Sequence, residues 1–119
     1  MKTFIFALTL VVSSILLLAP SCKSTTVTPS PKHQIEMENF VFVPESLEIS
    51  VDDTIVWINK GSISHTTTSG ENGVPDGLWD SGVIAPGDSF KRVFSTIGTF
   101  PYYCAIHFSM GMKGRIIVR

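Results

Sequence analysis

The chain has 119 residues, with 9 Lys+Arg against 10 Asp+Glu and a formal charge of −1. That length holds one small hydrophobic core and leaves no room for a second substantial domain. Without a basic excess the chain lacks the electrostatic footprint of a nucleic-acid binder.

The first 21 residues, "MKTFIFALTLVVSSILLLAPS", open on Lys2, run apolar from Phe4 to Ala19 and turn small and polar. Residues 1–21 are read as a secretory signal peptide. A retained membrane anchor is the alternative, but Ser13 and Ser14 interrupt the run, and a span needs about 18–20 apolar residues. Cys22 directly follows Ala19-Pro20-Ser21. A cysteine so placed resembles the lipobox of bacterial lipoproteins, in which it carries lipid and becomes the mature N-terminus. Ala19 stands where leucine is usual and Pro20 also departs from the pattern, so an incidental cysteine is the competing reading. A cut before Cys22 removes Lys2 and leaves 8 Lys+Arg against 10 acids, a charge of −2. Residues 22–32, rich in Ser, Thr and Pro, have little to bury and are read as a flexible tether to a domain over 33–119.

Within 33–119 no helical period is sustained. "QIEMENFVF" (34–42), "LEISV" (47–51), "TIVWIN" (54–59), "SFKRVFS" (89–95), "GTFPYYC" (98–104) and "GRIIV" (114–118) are short β-rich runs bounded by turn residues. They predict an all-β, Greek-key antiparallel β-sandwich of about seven to eight strands. Pro101 implies an edge position or a local irregularity. Residues 66–82, "TTTSGENGVPDGLWDSG", read as a long loop that covers a site or carries extra short structure. Trp57 is expected in the core and Trp79 partly exposed on that loop; His33, beside the tether, is expected as an ordinary surface histidine.

With Cys22 at the cleavage site, Cys104 is left as an unpaired thiol in an oxidising compartment, where free thiols are at risk. A bound metal would protect it. Cys104, His107 and a methionine, either Met110 or Met112, offer thiolate, imidazole and thioether close together. This set suits copper, and a type 1 site adds a second imidazole. His65, after "TIVWIN" and the short loop "KGSIS", can supply it.

At these residues the chain resembles the cupredoxins of the plastocyanin, amicyanin and pseudoazurin group, through "VWIN" followed by His65, "DSGVIAPGDSF" (80–90), "GTFPYYCAIH" (98–107) and "MKGRIIV" (112–118). The resemblance implies one type 1 Cu(I)/Cu(II) ion on His65, Cys104, His107 and an axial methionine. In such relatives that methionine is followed by any residue, a glycine, a basic residue and a β-branched run, a register that Met112-Lys113-Gly114-Arg115-Ile116 fits and Met110 does not. It also implies a backbone N–H of Thr66 pointing at the Cys104 sulfur. Relatives often carry Asn there, and the change to Thr leaves a side-chain bridge between the loops unassured. Ile106, Phe108 and Met110 flank His107 as an expected docking patch, and Tyr103 is expected to be exposed.

The function expected is a small blue copper protein that carries single electrons between transient redox partners, such as cytochromes or copper or haem oxidoreductases. It would be exported, periplasmic or in the cell envelope, monomeric, and held to a membrane by lipid on Cys22. One metal with no open substrate position argues against an enzyme. Copper delivery or storage by the same ligands is the alternative. A Cys104–His107 thiol enzyme leaves the methionine and His65 without a role, and a sandwich that has lost its metal does not account for a complete donor set.

Overall fold

The computed structural model describes Ile15 and residues 33–119; the signal-peptide, tether and Cys22 readings lie outside the described residues. Among the described residues nine strands follow in chain order: β1 His33–Glu38, β2 Val41–Val43, β3 Ser46–Ile49, β4 Asp53–Asn59, β5 Thr68–Glu71, β6 Val74–Asp80, β7 Ser89–Phe94, β8 Gly98–Tyr103 and β9 Lys113–Val118. They form one four-stranded sheet, β2-β1-β4-β7, and one five-stranded sheet, β3-β9-β8-β5-β6. Alternation builds the space between them. Ile35 and Met37 of β1, Ile55 and Trp57 of β4, and Ile116 and Val118 of β9 are buried, with more exposed residues between most of them.

Two departures from the sequence reading concern connectivity. The sandwich is all-β as expected, but both sheets are mixed: β1 runs parallel to β4, and β3 parallel to β9. The chain leaves the first sheet at β3 and returns to it at β4, and such a crossover permits parallel neighbours. Strand direction leaves no mark on an alternation pattern. The extra strands come from two tight turns. "QIEMENFVF" breaks at Asn39-Phe40 into β1 and β2, which pair from Glu38↔Val41 onward. Residues 66–82 are mostly a hairpin, β5 and β6, closed at Asn72-Gly73, where Glu71 pairs with Val74. Both turn residues have positive φ, 54° and 74°, as a two-residue hairpin turn that follows the sheet twist requires.

That hairpin carries Trp79 inward. Its side chain is buried rather than partly exposed, within ring contact of Trp57, Phe94 and Tyr102. The indole N–H donates to Thr67 Oγ1 at 3.0 Å. β7 points Phe90, Arg92 and Phe94 inward and leaves Val93 exposed. The Arg92 guanidinium lies 5.0 Å from the Trp79 ring centre. β7 and β6 are both edge strands, so this inward-turned charge shields the open side of the sandwich through a cation–π contact and discourages edge pairing.

Two smaller expectations resolve physically. β5 pairs with β8 only at Tyr102 and Tyr103. Pro101 therefore sits past the end of that ladder, with β9 its only strand neighbour there, a local edge that tolerates proline. His33 is half-buried rather than free on the surface: it opens β1, and its Nε2 lies 2.9 Å from Asp53 Oδ2. Gly114 answers to packing. A Cβ there would come within 2.6 Å of the Tyr102 hydroxyl and 2.7 Å of the Glu45 carbonyl, which explains why a glycine interrupts "MKGRIIV".

Ile116→Ala should lower the unfolding free energy by about 2–5 kcal/mol in urea titrations. Ile117→Ala, on the opposite face of β9, should cost clearly less.

Candidate metal centre

Residues 104–112 form a loop stitched to itself by the backbone. The Cys104 N–H donates to the Met112 carbonyl at 3.0 Å and the His107 N–H to the Cys104 carbonyl at 3.2 Å. The Met110 N–H donates to the His107 carbonyl at 3.0 Å within a single 3-10 turn, Phe108–Met110. Gly111, at φ 81°, ends that turn in the left-handed conformation and bonds back to the Phe108 carbonyl. Seven residues between Cys104 and Met112 thus occupy a fixed path.

His65 reaches the same end of the sandwich from the β4–β5 connection. It exchanges two backbone hydrogen bonds with Ile84, at 3.1 and 2.8 Å. Asn59, buried at the end of β4, ties this region down through Nδ2, which donates to the carbonyls of Ile63 and Ile84 at 2.8 and 2.9 Å. Its Oδ1 accepts the Gly61 N–H at 3.0 Å. A Cβ on Gly61 would lie 3.3 Å from His65 Nε2 and 2.8 Å from Asn39 Oδ1. Asn59, Gly61 and Ile84 were not singled out from the sequence. The turn signal in "NKG" was the available clue, but the buried amide network that it serves is tertiary.

Three of the expected ligands converge. His65 Nδ1, Cys104 Sγ and His107 Nδ1 form a triangle with edges of 3.2 Å between the imidazole nitrogens, 3.5 Å from sulfur to His107 and 3.8 Å from sulfur to His65. A point equidistant from all three lies about 2.0 Å from each, within the range of about 2.0–2.3 Å typical of metal–nitrogen and metal–sulfur bonds. His65 and Cys104 are fully buried and His107 is part-exposed. Burial first, and the neighbouring His107 second, hold the His65 imidazole below its usual pKa, which favours the neutral, metal-binding form. Two imidazoles and a thiol at these separations fit copper.

Thr66 joins the two loops. Its N–H donates to Cys104 Sγ at 3.4 Å, and its Oγ1 accepts the Ala105 N–H at 2.8 Å. The side-chain bridge left unassured by the sequence is therefore present. Thr66 Oγ1 also lies 3.1 Å from Thr68 Oγ1.

The two methionines separate by burial: Met112 is fully buried beside Cys104 in the core, and Met110 is 56% exposed. Ile106 and Phe108 are also exposed around His107. Tyr103 departs from expectation. It is buried, because the Phe108 ring packs on it with centres 5.4 Å apart. Phe40, at the β1–β2 turn with φ 68°, sets its ring edge-on to His107 at 5.1 Å. A bulky residue at positive φ is uncommon, and nothing in the sequence marks Phe40 as a neighbour of the site.

Comparison with known proteins agrees with this geometry. Residues 29–119 match the family model described as copper binding proteins, plastocyanin/azurin family. Plastocyanin of Scenedesmus fuscus is 35% identical over 85 residues, spanning 66% of this chain and 87% of that one. Plastocyanin of Vicia faba is 34% identical over 86 residues, 65% and 86% of the two chains. Among solved structures, a purple cupredoxin from Nitrosopumilus maritimus superposes with a TM-score of 0.67 at 31% identity, covering 73% of this chain and 99% of the other. A mutant fern plastocyanin gives 0.62 at 27%, covering 72% and 99%. The fold, the buried two-histidine, one-cysteine cluster and the match over nearly the whole described domain lead to one assignment: the chain belongs to the plastocyanin/azurin family of copper-binding proteins.

Proposed function

We propose that the protein is a single-electron carrier working outside the cytoplasm between transient redox partners, such as cytochromes or copper or haem oxidoreductases, and not an enzyme. The observation that carries this reading is the buried Nδ1–Sγ–Nδ1 triangle, one member of which, His107, reaches the surface. Copper held there supplies a one-electron Cu(II)/Cu(I) couple. His65, Cys104 and His107 would hold it through two imidazoles and a thiolate, and Met112, fully buried beside Cys104, would offer its thioether as a weaker fourth donor.

The residues around the ligands do the rest. Thr66 N–H stabilises the sulfur as an anion, and Thr66 Oγ1 keeps the two ligand loops from moving apart. Asn59 and Ile84 hold His65 to the end of β4. A site so constrained changes little between charge states, which favours fast transfer. His107 lies among Ile106, Phe108 and Met110, an apolar rim suited to brief, weak docking. The leader and Cys22 support export and anchoring to a membrane of the cell envelope by lipid.

The copper-loaded protein should show intense visible absorption from thiolate-to-Cu(II) charge transfer, which Cys104→Ser abolishes. Met112→Ala should alter that spectrum and Met110→Ala should leave it nearly unchanged. A colourless Cu(II) form would sink the proposal, and tight Cu(I) binding without reversible voltammetry would identify copper delivery or storage instead.

Thr66→Ala keeps the backbone donor but removes the Oγ1 bridge. Competition titration with a copper chelator should show affinity reduced by about 10–100-fold. For the anchor, mass spectrometry of the mature N-terminus should find a diacylglyceryl-modified Cys22; an unmodified N-terminus elsewhere rules the lipid out.

A further inference from the structure

Phe108 is 36% exposed in the apolar rim, yet its ring also makes two contacts with the protein. One contact is the edge of Tyr103, the residue before Cys104. The other is the β5–β6 turn. A Cβ built on Gly73 would lie 2.9 Å from both Cδ1 and Cε1 of Phe108, so the ring rests directly on the turn backbone. That turn is a tight Asn72-Gly73 hairpin whose strand β5 pairs with β8 at Tyr103. Phe108 also follows His107 and begins the 3-10 turn that the His107 carbonyl accepts into. The ring is thus fixed to β5–β6 and β8 on one side and continuous with a ligand on the other.

We infer that Phe108 is a positioning residue for the metal loop: wedged between Tyr103 and the Gly73 turn, its ring holds the Cys104–Met112 segment against the sandwich and keeps Cys104 covered. The inference rests on the copper reading of the site, but it concerns a contact that exists without metal. The β5–β6 turn becomes part of the site's support although it supplies no ligand. Gly73 is required there on two grounds. Its φ of +74° disfavours a side chain, and a Cβ would meet the ring.

The test uses the full chain carrying Cys22→Ser, so that Cys104 is the sole thiol. The metal-free protein is treated with an aromatic disulfide reagent under native conditions, where the rate reports opening of the loop over Cys104. Phe108→Ala should raise that rate about tenfold, the size expected for loss of one aromatic pair. Gly73→Ala, which keeps the ring but displaces it, should shift the rate in the same direction, and Phe108→Tyr should restore it. Val118→Ala, buried at the far end of β9, should lower the unfolding midpoint while leaving the thiol rate nearly unchanged. With copper added, Phe108→Ala should shift the charge-transfer band and the copper hyperfine splitting. A Phe108→Ala rate equal to that of the unaltered chain, or raised only as much as in Val118→Ala, would overturn the inference. Absence of colour in every variant would overturn the electron-carrier reading instead, and the thiol rates would still decide the role of Phe108.

Discussion

The site depends on one residue that touches both of its loops. His65 and Cys104 are far apart in sequence and arrive on separate connections, β4–β5 and β8–β9. Thr66 fastens them twice, through its N–H to the sulfur and its Oγ1 to the Ala105 N–H. A buried sulfur that is to carry negative charge needs a donor, because burial alone raises the cost of the thiolate. The same bonds fix the loop spacing, so the electrostatic requirement and the geometric one are met by a single side chain and its own backbone.

Beneath this tie lies a floor of aromatic rings. Trp57, Trp79, Phe94 and Tyr102 pack ring against ring across both sheets. Such planar side chains have few rotamers and leave little freedom to shift. The polar run Thr67–Ser69 is buried above them and satisfied locally. Thr67 N–H donates to Ser81 Oγ, and Ser69 Oγ both accepts from the Trp79 N–H and donates to its carbonyl. The strand that presents Trp79, β6, is thereby bound to β5, the strand that leads away from His65. Rigidity at the metal end is inherited from this core.

Much of the site was legible because its residues are chemically rare and closely spaced. Cys104 and His107 lie three positions apart, and the glycine and arginine after Met112 mark where β9 begins. His65 could be placed from the strand before it. What escaped was contact between segments distant in sequence. Trp79 looked like a loop residue because the Asn72-Gly73 hairpin signal was absorbed into a longer polar stretch, and only pairing with β8 turns that stretch inward. Tyr103 should face outward by alternation, yet Phe108 covers it from the following loop. Phe40 meets His107 only because β1 and β2 fold back at a turn that the apolar run "FVF" disguises. The parallel pairs were equally hidden, since alternation records which face a residue takes and not the direction of its neighbour.

The place of β9 has a consequence for how the molecule comes into being. It is an inner strand of its sheet, flanked by β3 on one side and β8 on the other, and it is synthesised after all eight other strands. Until it emerges from the ribosome, β3 has no partner in that sheet and the C-terminal end of the Cys104–Met112 loop has no strand to anchor it. Long-range pairing of this kind is slow to form. The five-stranded sheet therefore cannot be completed, nor the Cys104–Met112 loop pinned at both ends, until the whole domain has been made.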